Sequence, residues 1–192
     1  MLVYFRKIIN RIFRYINLIY TFFYKILIYD SDAIIKEENE KFKSLGFNLD
    51  ESIKKIETIL DNKYSRETNS IHWLLFTALS IMKPCNKILE IGTYDGEFTN
   101  FLSNIFPNAE ITTIDLPDND PLLRSYYDRG DLEKFKIYTE KQKNNTNKRN
   151  IKFLKINTFF LMEKLSKDDK FDIIWVDGGH LYPTVAWDLC NT

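Results

Sequence analysis

The stretch Lys87-Ile88-Leu89-Glu90-Ile91-Gly92-Thr93-Tyr94-Asp95-Gly96 constrains this chain more than any other. A short apolar run ends in a carboxylate, and two glycines four apart follow. Phe98, Phe101, Leu102 and Ile105 then recur at helical spacing. This is the pattern of a strand, a tight turn and a helix start. Glycine is needed where the backbone turns sharply or approaches a ligand closely. The helix start adds free N–H groups and a partial positive charge. A second apolar run, Ile111 to Ile114, ends in Asp115, nineteen residues past Gly96. An acid at that distance from a glycine turn can hold the hydroxyls of a ribose. The unit therefore reads as a nucleoside site at the carboxyl edge of a parallel sheet. A purely structural strand–turn–helix is the alternative.

The rest of the chain fits around this unit. Lys and Arg total 27, as do Asp and Glu, so no global charge points to nucleic acid. Two distant cysteines, Cys85 and Cys190, give neither a disulfide framework nor a zinc motif, and a cytoplasmic setting is expected. With only His72 and His180 as imidazoles, a histidine-rich metal site is not expected.

Residues 1–30 form a segment of their own, rich in Ile, Phe and Tyr. Arg6, Lys7, Arg11, Arg14 and Lys25 fall on one stripe of a helix. The longest uncharged run there, Tyr15 to Tyr24, is half of the roughly 20 residues that a spanning helix needs. The expectation is a basic helix over residues 1–29 lying at the inner face of a membrane. Burial against a protein surface is the alternative. Residues 31–69 read as a helical linker or cap, with Asn48 and Glu51 spaced as a capping box. Ser70 to Lys83 reads as a helix stopped by Pro84. His72 on it is given no function.

Beyond Asp115, the loop Leu116 to Pro121 carries Asp118 and Asp120 and reads as a turn rather than a cation site. Asp131 should cap a helix to about Lys143, and 141–150 should be a solvated loop. Ile151 to Ile156 reads as a third strand, followed by Asn157. The apolar run Phe171 to Val176 reads as a central strand buried on both faces, and it leads into Asp177-Gly178-Gly179-His180. Pro183 suits the start of a last helix, to Leu189. The fold class is α/β: a Rossmann-like parallel sheet of about four strands with flanking helices, preceded by N-terminal helices. The domain proper spans 70–192.

The spacing Glu-x-Gly-x-x-x-Gly resembles the first motif of class I S-adenosylmethionine (SAM) dependent methyltransferases more than a dinucleotide fingerprint. Ile173 to Tyr182, with Asp177-Gly178-Gly179-His180 at its centre, resembles the fourth-strand motif of small-molecule O-methyltransferases acting on sugars and macrolides. The resemblance implies SAM as cofactor, held by Glu90, Gly92, Thr93, Gly96, Asp115 and Asn157. It implies His180 as base and Asp177 as a catalytic residue and Mg²⁺ ligand, with Asp188 as its one candidate partner. The acceptor would be a hydroxyl of a sugar or other small metabolite. A complete domain of this type has seven strands. The chain therefore reads as truncated, with a sheet edge that an oligomer could cover. A non-catalytic SAM-binding or membrane-associated module is the rival reading, and an NAD enzyme a third.

Overall fold

A computed structural model describes residues 31–66, 69–126, 129–165 and 169–192. The readings made on residues 1–30 lie outside these. Among the described residues, no helix is long and apolar enough to cross a membrane. The chain divides into two compact units between Phe47 and Asn48.

The first unit contributes helix α1, Ser31–Ser44. Its end is set by chemistry legible in the sequence. Gly46 takes a left-handed φ of 84°, which a side chain would disfavour. The Gly46 N–H donates to Lys43 O at 2.9 Å and the Phe47 N–H to Phe42 O at 3.3 Å, the paired bonds of a Schellman motif. The Phe42 and Phe47 rings close over it with centroids 4.9 Å apart.

The second unit holds a four-stranded parallel sheet among the described residues, in the order β3-β2-β1-β4. The strands are β1 Lys87–Ile91, β2 Glu110–Asp115, β3 Ile151–Lys155 and β4 Ile173–Val176. The chain runs outward from β1 to β3 and then returns to the other side of β1. The switch point thus lies at the carboxyl ends of β1 and β4, where open α/β sheets place ligands. In chain order the helices are α2 Leu49–Leu60, α3 Ile71–Met82, α4 Glu97–Ile105, α5 Pro121–Ser125, α6 Leu132–Thr146, α7 Leu161–Lys164 and α8 Thr184–Cys190, with a 3₁₀ turn at Thr158–Phe160.

Strand alternation sorts the core into two layers. On one face, Ile88 and Ile111 pack with Trp73 and Phe76 of α3 and with Phe101, Leu102 and Ile105 of α4. On the other face, Leu89, Ile91 and Ile114 pack with Leu161. Helix α2 joins the first layer through Ile56, which is fully buried. The Asn48 side chain caps α2 by accepting the Glu51 N–H at 3.1 Å.

Two expectations need correction. Phe171 to Val176 shortens to a strand over Ile173–Val176 that pairs only with β1 among the described residues. It is an edge, and Ile174 is 38% exposed. Ile173 and Trp175 pack on the layer that holds Ile88, Val176 packs on the layer that holds Ile91, and none of the four strand residues is fully buried. Second, α6 continues to Thr146. The stretch expected as a solvated loop therefore begins as helix, and its Gln142 and Thr146 are buried. On α3, Trp73 and Phe76 are buried, while Ile71 and Met82 are exposed.

Candidate active site

The glycine turn is pinned to both neighbouring strands. The N–H groups of Gly92 and Thr93 both donate to Ile114 O, at 2.9 and 3.2 Å. The Asp177 N–H donates to Ile91 O at 2.7 Å, so the loop after β4 starts flush against β1. Gly92 has φ 105°, and a Cβ there would lie 2.3 Å from the Asp177 carbonyl oxygen and 2.7 Å from Gly178 N. Only glycine lets these two backbones meet. Gly96, at φ 77°, has another reason: a Cβ would meet Asn145 Cβ at 3.0 Å and Thr146 Cγ2 at 3.1 Å on α6. The first glycine thus closes the switch point and the second seats a helix.

Beneath the turn lies a buried hydroxyl–carboxylate chain. Glu90 is 1% exposed. Its Oε2 accepts the Thr99 hydroxyl at 2.5 Å and the Thr113 hydroxyl at 2.6 Å. Thr93 Oγ1 lies 2.6 Å from Thr113 Oγ1. Because Thr113 spends its one hydrogen on Glu90, Thr93 donates to Thr113. β1–β2 register sets this up, since Glu90 sits opposite Thr113. Burial pushes the Glu90 carboxyl up to about 7, opposed by the two hydroxyls. The structure therefore places Glu90 and Thr93 inside the wall of the site, with these polar atoms turned on each other.

Asp115 ends β2 at the rim. Its Oδ1 accepts the Leu116 N–H at 2.8 Å. Its Oδ2 accepts from Tyr138 Oη and Gln142 Nε2 on α6, each at 3.2 Å. Gln142 also donates to Tyr94 O at 2.7 Å and lies 3.0 Å from Tyr138 Oη. The Arg129 guanidinium lies 4.1 Å over the Tyr138 ring and 5.2 Å from the Tyr94 ring. Burial raises the Asp115 pKa, while the Leu116 N–H, Tyr138 and the Arg129 charge act to lower it. Further along α6, Asn145 donates to Asp95 O at 2.9 Å, and Lys141 pairs with Asp95 at 2.7 Å and Glu97 at 3.2 Å. This clasp is not legible from residue types, because a Lys/Asn/Gln-rich stretch looks solvated. Its only local hint is the Asp131 cap, which accepts the Glu133 and Lys134 N–H groups and so fixes the helix.

Asn157 stands at the same sheet edge, since the Ile156 N–H donates to Asp115 O at 2.9 Å. Its side chain accepts the Phe159 N–H at 3.0 Å and caps the 3₁₀ turn. In the loop before, Asp120 caps α5 by accepting the Leu122 N–H, and Asp118 pairs with Lys155. The acids of that loop act as turn and cap formers.

The β4 side is different. Asp177 and His180 are both exposed. His72, given no role from sequence, stacks on Trp175 with centroids 5.3 Å apart and meets the edge of Phe98 at 4.5 Å. Burial lowers its pKa, and the nearby Asp177 charge works the other way. Asp188 on α8 is 1% exposed, and its Oδ1 has no hydrogen-bond partner among the described residues. Its Oδ2 lies 3.3 Å from where a Cβ on Gly178 would sit. No group of three or more His, Cys, Asp or Glu that could hold a metal occurs among the described residues.

Residues 89–192 match the model of a family described as a methyltransferase domain. No curated protein matches the chain. Among solved structures, the O-methyltransferase TomG of Streptomyces achromogenes, in complex with SAM, matches at 18% identity and a TM-score of 0.42, over 81% of this chain and 67% of that one. A Klebsiella pneumoniae protein provisionally described as an O-methyltransferase matches at 16% identity and a TM-score of 0.44, over 80% and 66%. The cofactor-bound Rv0187 from MTB matches at 15% identity and a TM-score of 0.39, over 91% and 66%. The chain thus spans about two thirds of the length of each of these structures.

Proposed function

Because the chain belongs to the methyltransferase-domain family, with the Rossmann-like fold of a SAM-dependent methyltransferase, we propose that it binds SAM along the carboxyl ends of β1 and β2 and methylates a hydroxyl of a sugar or other small metabolite. The observation that carries this reading is Asp115 at the rim of β2, beside a glycine turn pinned to Ile114 O. A carboxylate there suits ribose hydroxyls. The cofactor supplies a methyl group made electrophilic by a sulfonium.

The chain's residues supply the rest. The Gly92–Gly96 turn and the start of α4 give the cofactor a rigid floor, and Asn157 stands beside Asp115 near the base. His180, on the loop after β4, takes the proton as the acceptor oxygen bonds to the methyl carbon and the carbon–sulfur bond breaks. An imidazole nitrogen with a free lone pair suits that role. Asp177 helps orient the acceptor from the same loop. Most of the acceleration in such a transfer comes from holding oxygen, methyl and sulfur in line.

The test is calorimetric titration of the chain with S-adenosylhomocysteine, with and without Mg²⁺, then methyl transfer from labelled SAM to a panel of sugars and small hydroxylated metabolites. Binding is expected, and Asp115→Asn should lose most of it. His180→Ala should bind as wild type but transfer about 10²- to 10⁴-fold more slowly. Binding without transfer to any acceptor would favour a non-catalytic SAM-binding module. No binding by folded protein would overturn the reading.

A further inference from the structure

The chain has two imidazoles, His72 and His180. His180 lies on the loop after β4, and the fold brings His72 to the same strand from α3. Along β4, Ile173 and Trp175 pack on the layer of α3 and α4, and Val176 packs on the other layer. The Asp177 N–H still bonds to Ile91 O at 2.7 Å, so the alternation carries one residue further and sends Asp177 to the side of Trp175. His72 sits on that side. Its ring stacks on Trp175 with centroids 5.3 Å apart and planes 27° apart, and it meets Phe98 at 4.5 Å and 83°. Phe76 holds Trp175 in turn, at 5.3 Å and 80°. Rings from α3, α4 and β4 thus fix the imidazole plane. The Asp177 charge reaches this ring, as it reaches Glu90 on the same layer. His72 is only half-buried. Among the described residues its side-chain contacts are ring contacts, and neither nitrogen is hydrogen-bonded. For packing alone a phenylalanine would serve, without the desolvation cost of two polar nitrogens.

We propose that His72 and Asp177 together hold a second, non-reacting hydroxyl of the methyl acceptor, which donates to the Asp177 carboxylate and accepts an N–H from the His72 ring. This rests on the reading of the chain as an O-methyltransferase whose acceptor lies beside β4, and it adds which acceptors fit. An ionised carboxylate only accepts hydrogen bonds, whereas an imidazole carries at least one N–H in either protonation state. A hydroxyl is donor and acceptor at once, so it satisfies both groups. A methylene at the same place satisfies neither. The reacting hydroxyl gives its proton to His180, so the pair serves a neighbouring one. The preferred acceptor therefore carries a second hydroxyl close to the first, as a sugar does. Because the His72 ring is held by packing, the donor is in place before the acceptor arrives. Helix α3 thereby becomes one wall of the acceptor site, although its sequence reads as a packing helix.

The experiment measures methyl transfer from labelled SAM by the full chain, over sugars and small hydroxylated metabolites, each polyol beside its monodeoxy forms. His72→Phe keeps the ring contacts and removes both nitrogens. A thermal melt checks that it folds, and its affinity for S-adenosylhomocysteine should stay within about twofold of wild type. The KM for the best polyol should rise about fivefold, the size of one hydrogen bond. The kcat should stay within about twofold, as expected when an interaction made equally in ground and transition states is lost. For one monodeoxy form, wild type should itself show the raised KM, and His72→Phe should add nothing to it. His72→Gln restores an N–H donor and should recover part of the loss. An unchanged KM in His72→Phe would overturn the proposal. So would the same rise for every acceptor, or a loss of S-adenosylhomocysteine binding, since a merely structural residue gives those. Wild type alone also tests it: transfer to single-hydroxyl acceptors as readily as to polyols, or no monodeoxy form with a raised KM, sinks the idea. If wild type transfers to no acceptor, the O-methyltransfer reading fails and takes this proposal with it. If wild type transfers and His72→Phe matches it, only this proposal fails.

Discussion

The two sides of β1 are built to different standards. On the β2 side, polar groups are paired in depth: Thr93, Thr113, Thr99 and Glu90 form one chain, and Asp115, Tyr138, Gln142 and Tyr94 form another. On the β4 side, Asp177 and His180 are exposed, Asp188 Oδ1 has no partner among the described residues, and Leu181, Tyr182 and Leu189 are 73%, 85% and 62% exposed. Buried polar networks fix one arrangement when complete and cost stability when incomplete. The contrast separates two tasks. The half proposed to hold the cofactor has its polar groups satisfied within the fold. The half proposed to carry proton transfer and the acceptor presents Asp177 and His180 to solvent.

The largest effect that could break this contrast is at the seam. Gly92→Val places side-chain atoms where a Cβ alone would be 2.3 Å from Asp177 O, at φ 105°. Neither backbone can yield without releasing the Ile114 and Asp177 hydrogen bonds. Overpacking of this kind costs about 1–3 kcal/mol or more, with further strain from the positive φ. We expect loss of S-adenosylhomocysteine binding together with a lower urea midpoint. A variant that binds as wild type would show that the seam is loose and the two halves independent.

What was legible in the sequence follows the same division, for a physical reason. The glycine turn, the Asn48 and Asp131 caps and the acid at Asp115 are local signals: each is a backbone requirement met by a residue within a few positions. What was missed is tertiary. Gln142 and Thr146 sit in a polar run, and only their contact with the turn and with Asp115 buries them. His72 looked like an ordinary helix residue because nothing in the sequence puts Trp175 against it. The apolar run into β4 was read as doubly buried, since apolarity reports that a strand is covered somewhere but not on how many sides.

A mid-sized effect sharpens the claim that the β2 side is tuned for burial. Folding raises Glu90 from the ordinary carboxylate range to about 7 by burial. The folded state therefore holds this proton more tightly than the unfolded chain. Its contribution is fully present below the unfolded pKa, falls as pH rises from there to about 7, and stays lost above. The size is on the order of 3 kcal/mol. Glu90→Gln keeps an oxygen to accept from Thr99 and Thr113 but carries no charge. In urea melts it should match wild type near pH 4 and gain on it steadily up to about pH 7. Parallel pH curves for the two proteins would mean that the network, not the charge, sets the energy.

The smallest effect tests where the rigid half ends. Lys141 is the outermost link of α6 to the turn, pairing with Asp95 and Glu97 while half exposed itself. These partners raise its pKa, led by the hydrogen bond to Asp95. Solvent and salt screen such a pair, and exposed ion pairs contribute about 0.2–1 kcal/mol. Lys141→Met keeps the stem that lies along the helix and removes the charge. Stability should fall by about 0.5 kcal/mol in low salt, and the difference should shrink as salt rises. Ligand affinity should stay within about twofold of wild type, because Gln142 and Asn145 still hold Tyr94 O and Asp95 O. A large, salt-insensitive loss of binding would place the boundary of the site further out, and would make the charged surface of α6 part of what holds the ligand.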